Sequence, residues 1–202
     1  RASIVGGRYF ADDRRTSGVN LNTGVFNAQG DVFRTFNPRF NLSFNATDDF
    51  LLFANIAKGF RSGSFQTEAQ AASANAAGVP VGTSIDPDSV WSYELGAKGR
   101  IFGGSLLLDT AIYQIDWTNI QLQSTISGVA TLSNGGNARV RGVDLGLTWR
   151  TPLEGLSLSF VGNYNDAVFT EVLPQLVAIN PLAAPGERIP GAVSYTHLRA
   201  HE

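Results

Sequence analysis

The chain has 202 residues, 43% of them hydrophobic and 16% charged, with a formal net charge of -2, so neither wholesale disorder nor a nucleic-acid surface fits its composition. It contains no cysteine, which excludes disulfide frameworks and thiolate metal sites. No stretch approaches the roughly 18 consecutive apolar residues that a membrane helix requires.

The opening RASIVGGRYF shows no initiator methionine, no basic start leading into an apolar core and no small-residue cleavage site, so the chain is expected to be an internal piece of a longer one. Residues 11–34 are polar or small and predict a first long connection. Beyond them Phe40, Leu42, Phe44 and Ala46 alternate with Arg39, Asn41, Ser43 and Asn45; after NATDDF (45–50), Phe50, Leu52, Ala54 and Ile56 form a second apolar row. A period of two is that of a strand with one oily and one wet face, and a compact Asp-rich breaker between two such runs is a hairpin turn. Asp48 and Asp49 are therefore expected to serve the turn rather than acid and base chemistry.

GFRSGSF (59–65) opens a second long connection, 61–89. Within it QTEAQAASANAAG (66–78) has helix-forming Ala and Glu but almost no apolar face, which leaves a mobile loop and a short surface helix both open. Asp86-Pro87-Asp88 returns the chain to a strand, with both carboxylates expected to stay hydrated. Trp91, Tyr93, Leu95, Ala97 and Ile101 then alternate with Ser92, Glu94, Lys98 and Arg100.

After FGGS (102–105) the pattern falters: Leu106, Leu107 and Leu108 are consecutive, and Asp109 and Asp116 sit in opposite phases. The faces of that strand stay unassigned, and part of it is expected to project beyond the apolar band. A third long connection follows at 118–137. Val143, Leu145, Leu147 and Trp149 alternate with Asp144, Gly146 and Thr148; past RTPLEG (150–155), Leu156, Leu158, Phe160 and Tyr164 alternate with Ser157, Ser159, Asn163 and Asn165. Residues 170–190 form the fourth long connection. The glycine pairs 6/7, 103/104 and 135/136 lack the order of strand, Gly-x-Gly-x-x-Gly and helix that phosphate binding needs, so they predict turns or bulges.

Runs of about 10 to 13 residues exceed the usual 5 to 6 of a soluble sandwich and suit tilted strands crossing a bilayer. Long connections alternate strictly with short ones, so all the long ones lie at one end, although structureless loops beyond about 12 to 15 residues are uncommon in compact domains. Phe50, Phe102 and Trp149 beside the turns, with Phe60, Tyr93, Trp117 and Tyr164 toward the loops, outline two aromatic girdles. The expected fold is all-β, a partial antiparallel transmembrane β-barrel of about eight strands with short periplasmic turns and long extracellular loops.

Four segments, in order, resemble landmarks in the C-terminal barrel of TonB-dependent outer-membrane receptors: GFRSGSF (59–65), DPDSVWSYELGAKGRIFGGSLLLDTAIYQIDWTNIQ (86–121), NGGNARVRGVDLGL (134–147) and GERIPG (186–191). The resemblance covers most of residues 1–192. It implies the outer membrane of a Gram-negative bacterium, a barrel of about 22 strands enclosing an N-terminal plug, and surrounding outer-membrane lipid. It also implies coupling to the TonB complex and energised uptake of a scarce small ligand, most often a ferric siderophore. The plug, the TonB box and many strands are not among these residues. VSYTHLRAHE (193–202) breaks the apolar row and resembles a translated sequencing-adapter string, so barrel sequence is expected at 1–192, and His197 and His201 are not taken as a metal pair.

With those histidines set aside, neither His nor Cys is present to serve an activated nucleophile, so no catalytic residue, cofactor or metal site is expected and the chain does not read as an enzyme. Candidates for ligand or plug contact are the wet-face charges Arg39, Glu94, Lys98, Arg100 and Asp144, for which a self-satisfied salt-bridge lattice is the competing reading. Arg61 could grip a carboxylate or phosphate at the mouth, or brace its own loop. Two other readings of the whole pattern stay open. One is a porin or autotransporter-type barrel; the other is a soluble β-sandwich binding domain, which must cover its apolar rows with a second sheet.

Overall fold

The period-two runs form strands longer than the sequence pattern alone marks out. The computed structural model describes residues 2–19, 24, 26–189 and 196–201. In chain order the elements are β1 (Ala2–Val19), β2 (Phe26–Thr47), β3 (Phe50–Arg61), β4 (Ser64–Phe65), α1 (Glu68–Ala76), β5 (Ser84–Ile85), β6 (Asp88–Ile101), β7 (Leu106–Thr118), β8 (Gln121–Ile126), β9 (Val129–Asn134), β10 (Gly136–Arg150), β11 (Ser157–Val172), α2 (Pro174–Ile179) and β12 (Thr196–His201). Eight of the strands make one antiparallel sheet in the order β1-β2-β3-β6-β7-β10-β11-β12, while β4-β5 and β8-β9 are separate ribbons within the long connections. The sheet is open: β1 pairs with β2 alone and β12 with β11 alone.

The three short turns lie where the breakers predict. Asp49 N–H donates to Thr47 Oγ1 at 3.2 Å in the first. Phe102, Gly103 and Gly104 all take positive φ in the second, and Thr151 Oγ1 donates to the Leu156 carbonyl at 3.0 Å in the third. All three turns are at one end of the sheet, and the long connections at the other.

The long connections are shorter and more structured than expected. Most of 11–34 is ladder, since β1 and β2 stay paired up to Val19↔Phe26. Their upper halves mix polar residues with Val19, Phe26, Val32 and the buried Phe33, so no regular alternation marks them; backbone pairing joins the two strands, while the exposed ion pairs Arg14–Asp12 and Arg15–Asp13 run along β1. Segment 118–137 is mostly the β8-β9 hairpin, and β11 runs to Val172, three residues into the expected fourth connection. The open choice at 66–78 resolves as helix α1. Of the tail 193–202, positions 193–195 and 202 lie outside the described residues; Thr196–His201 pairs with Gly162–Ser157 of β11.

Because opposed residues of an antiparallel pair share a face, the register gives the two faces row by row. Leu42, Ala54, Leu95, Ile112, Val143 and Tyr164 form one outward row, and Phe44, Leu52, Ala97, Thr110 and Leu145 the next. These side chains are bare: Leu42 is 55% exposed, Leu95 56%, Ile112 55% and Tyr164 57%. The buried apolar residues lie elsewhere, in the loops and the polar face beneath them. No second sheet of described residues covers the apolar face, which removes the sandwich reading, since a sandwich exists only by burying such rows.

The strand whose faces sequence left unassigned is now clear. Leu106, Leu108, Thr110 and Ile112 face outward, whereas Leu107 and Asp109 face the polar side opposite Arg100 and Lys98. Beyond Ile112 the phase inverts: Ile115 and Trp117 turn to the polar side, Gln114 and Asp116 outward. Trp117 is therefore no girdle residue. It packs with Leu122, Val172 and Ile189 around a small core under the loops.

Candidate functional site

The polar face carries a lattice of short-range bonds made by opposed residues. Asn41 donates to Asn55, whose own amide donates to Glu94 at 2.8 Å. Lys98 Nζ meets Asp109 at 2.7 Å and Arg100 meets Asp49 at 2.6 Å. Asp144 accepts from Asn163, which also donates to the Tyr113 hydroxyl at 3.1 Å. Four of the five wet-face charges singled out from sequence, Glu94, Lys98, Arg100 and Asp144, are thus engaged with neighbours. Arg39 is placed on the same face by its register partners Gly6 and Ala57, and no ion pair to it occurs among the described residues.

Two glycines let aromatic rings lie flat on this face. Gly96 is opposite Phe53 and Gly142 is opposite Tyr113. A Cβ at either glycine would collide with the ring and also approach a backbone carbonyl, Thr110 O or Tyr164 O, at 2.7 Å. A ring covering a glycine on the next strand restores apolar contact that the missing side chain gives up.

Toward the loop end the polar face turns apolar and is covered. Ala138 and Phe169 face that way, and Ile120, Leu176 and Ala183 from the loops close over them as one buried cluster. The loops therefore fold over the polar side of the wall. They are stitched together by side-chain amides: Gln66 bonds both the Leu132 carbonyl (3.0 Å) and the Leu132 N–H (2.9 Å), and Gln70 donates to Ala130 O at 2.8 Å. Gln121 Nε2 donates to the Ser62 and Asp86 carbonyls at 2.9 and 3.0 Å, and Asn134 bonds Asp86 and Asn119. None of these amides stood out in sequence, because an amide's role depends on which distant backbone group reaches it. One signal was legible: Thr67 and Gln70 three residues apart form a capping box, Thr67 N–H donating to Gln70 Oε1 at 2.9 Å and Gln70 N–H to Thr67 Oγ1 at 3.2 Å.

Arg61 lies inside this arrangement. It pairs with Asp88, donates to the Gln121 carbonyl at 3.0 Å and rests over the Trp117 ring, with 53% of its side chain still exposed. Asp88, expected to stay hydrated, is only 3% exposed; the guanidinium and the Gln121 N–H take the place of water. Near the top of β1, the Ser62 hydroxyl and then Arg14 hold the Asp12 carboxyl below the usual carboxylate range, tying that hairpin to the second loop.

Comparison with known proteins matches this architecture to one family. The family model described as TonB dependent receptor-like, β-barrel, covers residues 3–196. Among solved structures, the ferric yersiniabactin uptake receptor FyuA from Yersinia pestis superposes with a TM-score of 0.61 at 22% identity over 83% of this chain. The siderophore receptor PiuA from Acinetobacter baumannii gives 0.60 at 16% over 84%, and the copper transporter OprC 0.55 at 17% over 86%. The chain spans only 24%, 23% and 28% of those proteins. An open sheet with bare apolar rows, a hydrogen-bonded polar face and loops at one end is a length of barrel wall, and the chain belongs to the TonB-dependent receptor β-barrel family of the Gram-negative outer membrane, its tight turns periplasmic and its long connections extracellular.

Proposed function

We propose that this segment is part of an outer-membrane receptor that binds a scarce small ligand at its external loops and passes it through the lumen, using energy delivered by TonB to a plug in the same parent chain. The observation that carries the reading is the folding of the loops over the lumen side of the wall, where Gln66, Gln121 and Arg61 fasten them to one another. A diffusion pore needs no such fastening, whereas a binding vestibule needs loops of fixed shape. A ferric siderophore is the leading ligand class, by analogy with structural relatives named for ferric yersiniabactin and siderophore uptake; a copper transporter among them keeps other metal species in view. Among the charges singled out from sequence, Arg39 and the exposed half of Arg61 are the groups left to meet an anionic ligand or the plug, while Glu94, Lys98, Arg100 and Asp144 serve the lattice. The segment has no catalytic role in this reading. Residues 193–202 are taken as foreign to the barrel.

The test uses the full-length receptor in a host stripped of its own ferric-chelate receptors. Growth on a ferric siderophore as sole iron source, lost when TonB is deleted, supports the proposal. Ligand passage that persists without TonB favours the porin reading.

A further inference from the structure

We propose that Arg139, Arg141 and Arg188 form an outward-facing seat for the phosphate groups of lipid headgroups in the external leaflet. On β7, β10 and β11 the alternation inverts at one register row. Ile112, Val143 and Tyr164 face lipid; Ile115, Val140 and Ala167, three register positions further on, face the lumen. Inversion alone calls only for polar residues outside. What stands there is Gln114, Arg141 and Asp166 in the next outward row, then Asp116 and Arg139, with Arg188 bridged to Val168 beside them. The patch adjoins the stacked outward pair Trp91 and Tyr93, an aromatic edge of the kind that sits at headgroup level.

In these rows three arginines face two carboxylates, with Glu171 one row further on engaged by the Asn137 amide, and the pairing is uneven. Arg139 holds Asp116 at 2.7 Å, but Arg188 reaches Asp166 only at 3.5 Å and Arg141 donates to the neutral Gln114 at 2.9 Å. Arg141 and Arg188 are exposed. Guanidinium forks match phosphate oxygens in pairs, where a lysine would offer a point charge. The two edges of the band also differ. At the turn end the cations of the strands, Lys98, Arg100 and Arg150, all fall in the lumen phase, and the outward edge there is Ile101, Leu106, Trp149 and Leu158. Outward cations among the described strands occur only toward the loops. Continuity with the lipid-facing band decides the occupant: a headgroup anchored in that band is delivered to the arginines by its own acyl chains.

The inference rests on the membrane placement of the apolar face and not on which ligand the receptor transports. The full-length receptor, purified in detergent, is titrated with bisphosphorylated lipid A, with the dephosphorylated lipid and with inorganic phosphate. The bisphosphorylated form should bind tightest, and replacing Arg141 and Arg188 by Gln should weaken it about fivefold per arginine, or some twenty- to thirtyfold together. Arg150→Gln, the same charge loss at the other end of β10, should leave it unchanged. Equal binding of the dephosphorylated lipid, equal loss with Arg150→Gln, or displacement by low-millimolar inorganic phosphate would each overturn the assignment. A receptor that never enters detergent micelles would instead refute the membrane reading beneath it.

Discussion

Arg61 and Asp88 face each other across the β3–β6 ladder, and their ion pair closes on a third segment: Arg61 donates to the Gln121 carbonyl while the Gln121 N–H donates to Asp88 at 3.2 Å. One buried carboxylate thereby fixes where two extracellular loops leave the wall. Asp88→Asn keeps the shape and removes the charge. Because Arg61 is half exposed and can rehydrate, the cost is modest, about 1 to 2 kcal/mol, and local. Hydrogen exchange in the full-length receptor should speed up roughly tenfold for amides in 62–87 and 119–135, with the β6–β7 ladder unaffected. Unchanged exchange in both loops would show the pair to be ornamental.

The apolar rows make a sharper prediction. Ile112 stands in the middle of the outward face between Leu95 and Val143, whereas Ser92 lies on the lumen side. Ile112→Arg should cost about 2 to 4 kcal/mol of folding free energy in a bilayer, and Ser92→Arg less than about 1. Reversible unfolding of the receptor in lipid vesicles reads both. Similar costs for the two would mean that hydrocarbon does not touch Ile112.

How legible this was depends on what each side chain faces. Strands between Phe40 and Ile56 and between Val143 and Tyr164 could be read directly, because lipid outside and water inside write an unbroken period of two. Reading failed where the surroundings change along one strand. In β7, Leu107 faces the lumen among outward leucines, and past Ile112 the covering loops draw Ile115 and Trp117 inward, so the phase flips and Trp117 is mistaken for an interfacial residue. In the upper part of the β1–β2 hairpin polar residues stand on both faces and the few apolar ones, such as Phe33, keep no period of two, so backbone pairing alone reports the strand. The lumen charges were found by phase, but their partners, such as Asn163 for Asp144, depend on register that sequence does not print.

The paired rings and glycines should be intolerant of a single methyl. At Gly142 a Cβ meets both the Tyr113 ring and the Tyr164 carbonyl, and only the ring can move. Gly142→Ala should therefore lose about 1 to 3 kcal/mol, and Tyr113→Ala in the same chain should restore only part of it. Gly96→Ala should behave alike through Phe53 and the Thr110 carbonyl. Folded yield in detergent, followed by resistance to heat, measures all four chains. Full rescue by Tyr113→Ala would show that the backbone approach is slack.

Arg39 and Arg100 test whether a lumen charge serves the wall or the traffic through it. Arg100 has its carboxylate, Asp49, but both side chains are more than half exposed, so the pair contributes little and Arg100→Gln should leave receptor level and uptake near normal. Arg39 has only Gly6 and Ala57 opposite it, and a long cation kept there without a carboxylate suits a partner that comes from elsewhere. Losing one charge-assisted hydrogen bond to that partner should cost about tenfold in ligand uptake at limiting concentration, with the amount of inserted receptor unchanged. Should uptake by Arg39→Gln match that of Arg100→Gln, the residue is polar filling, and the ligand or plug must meet this wall through Arg61 and the loops.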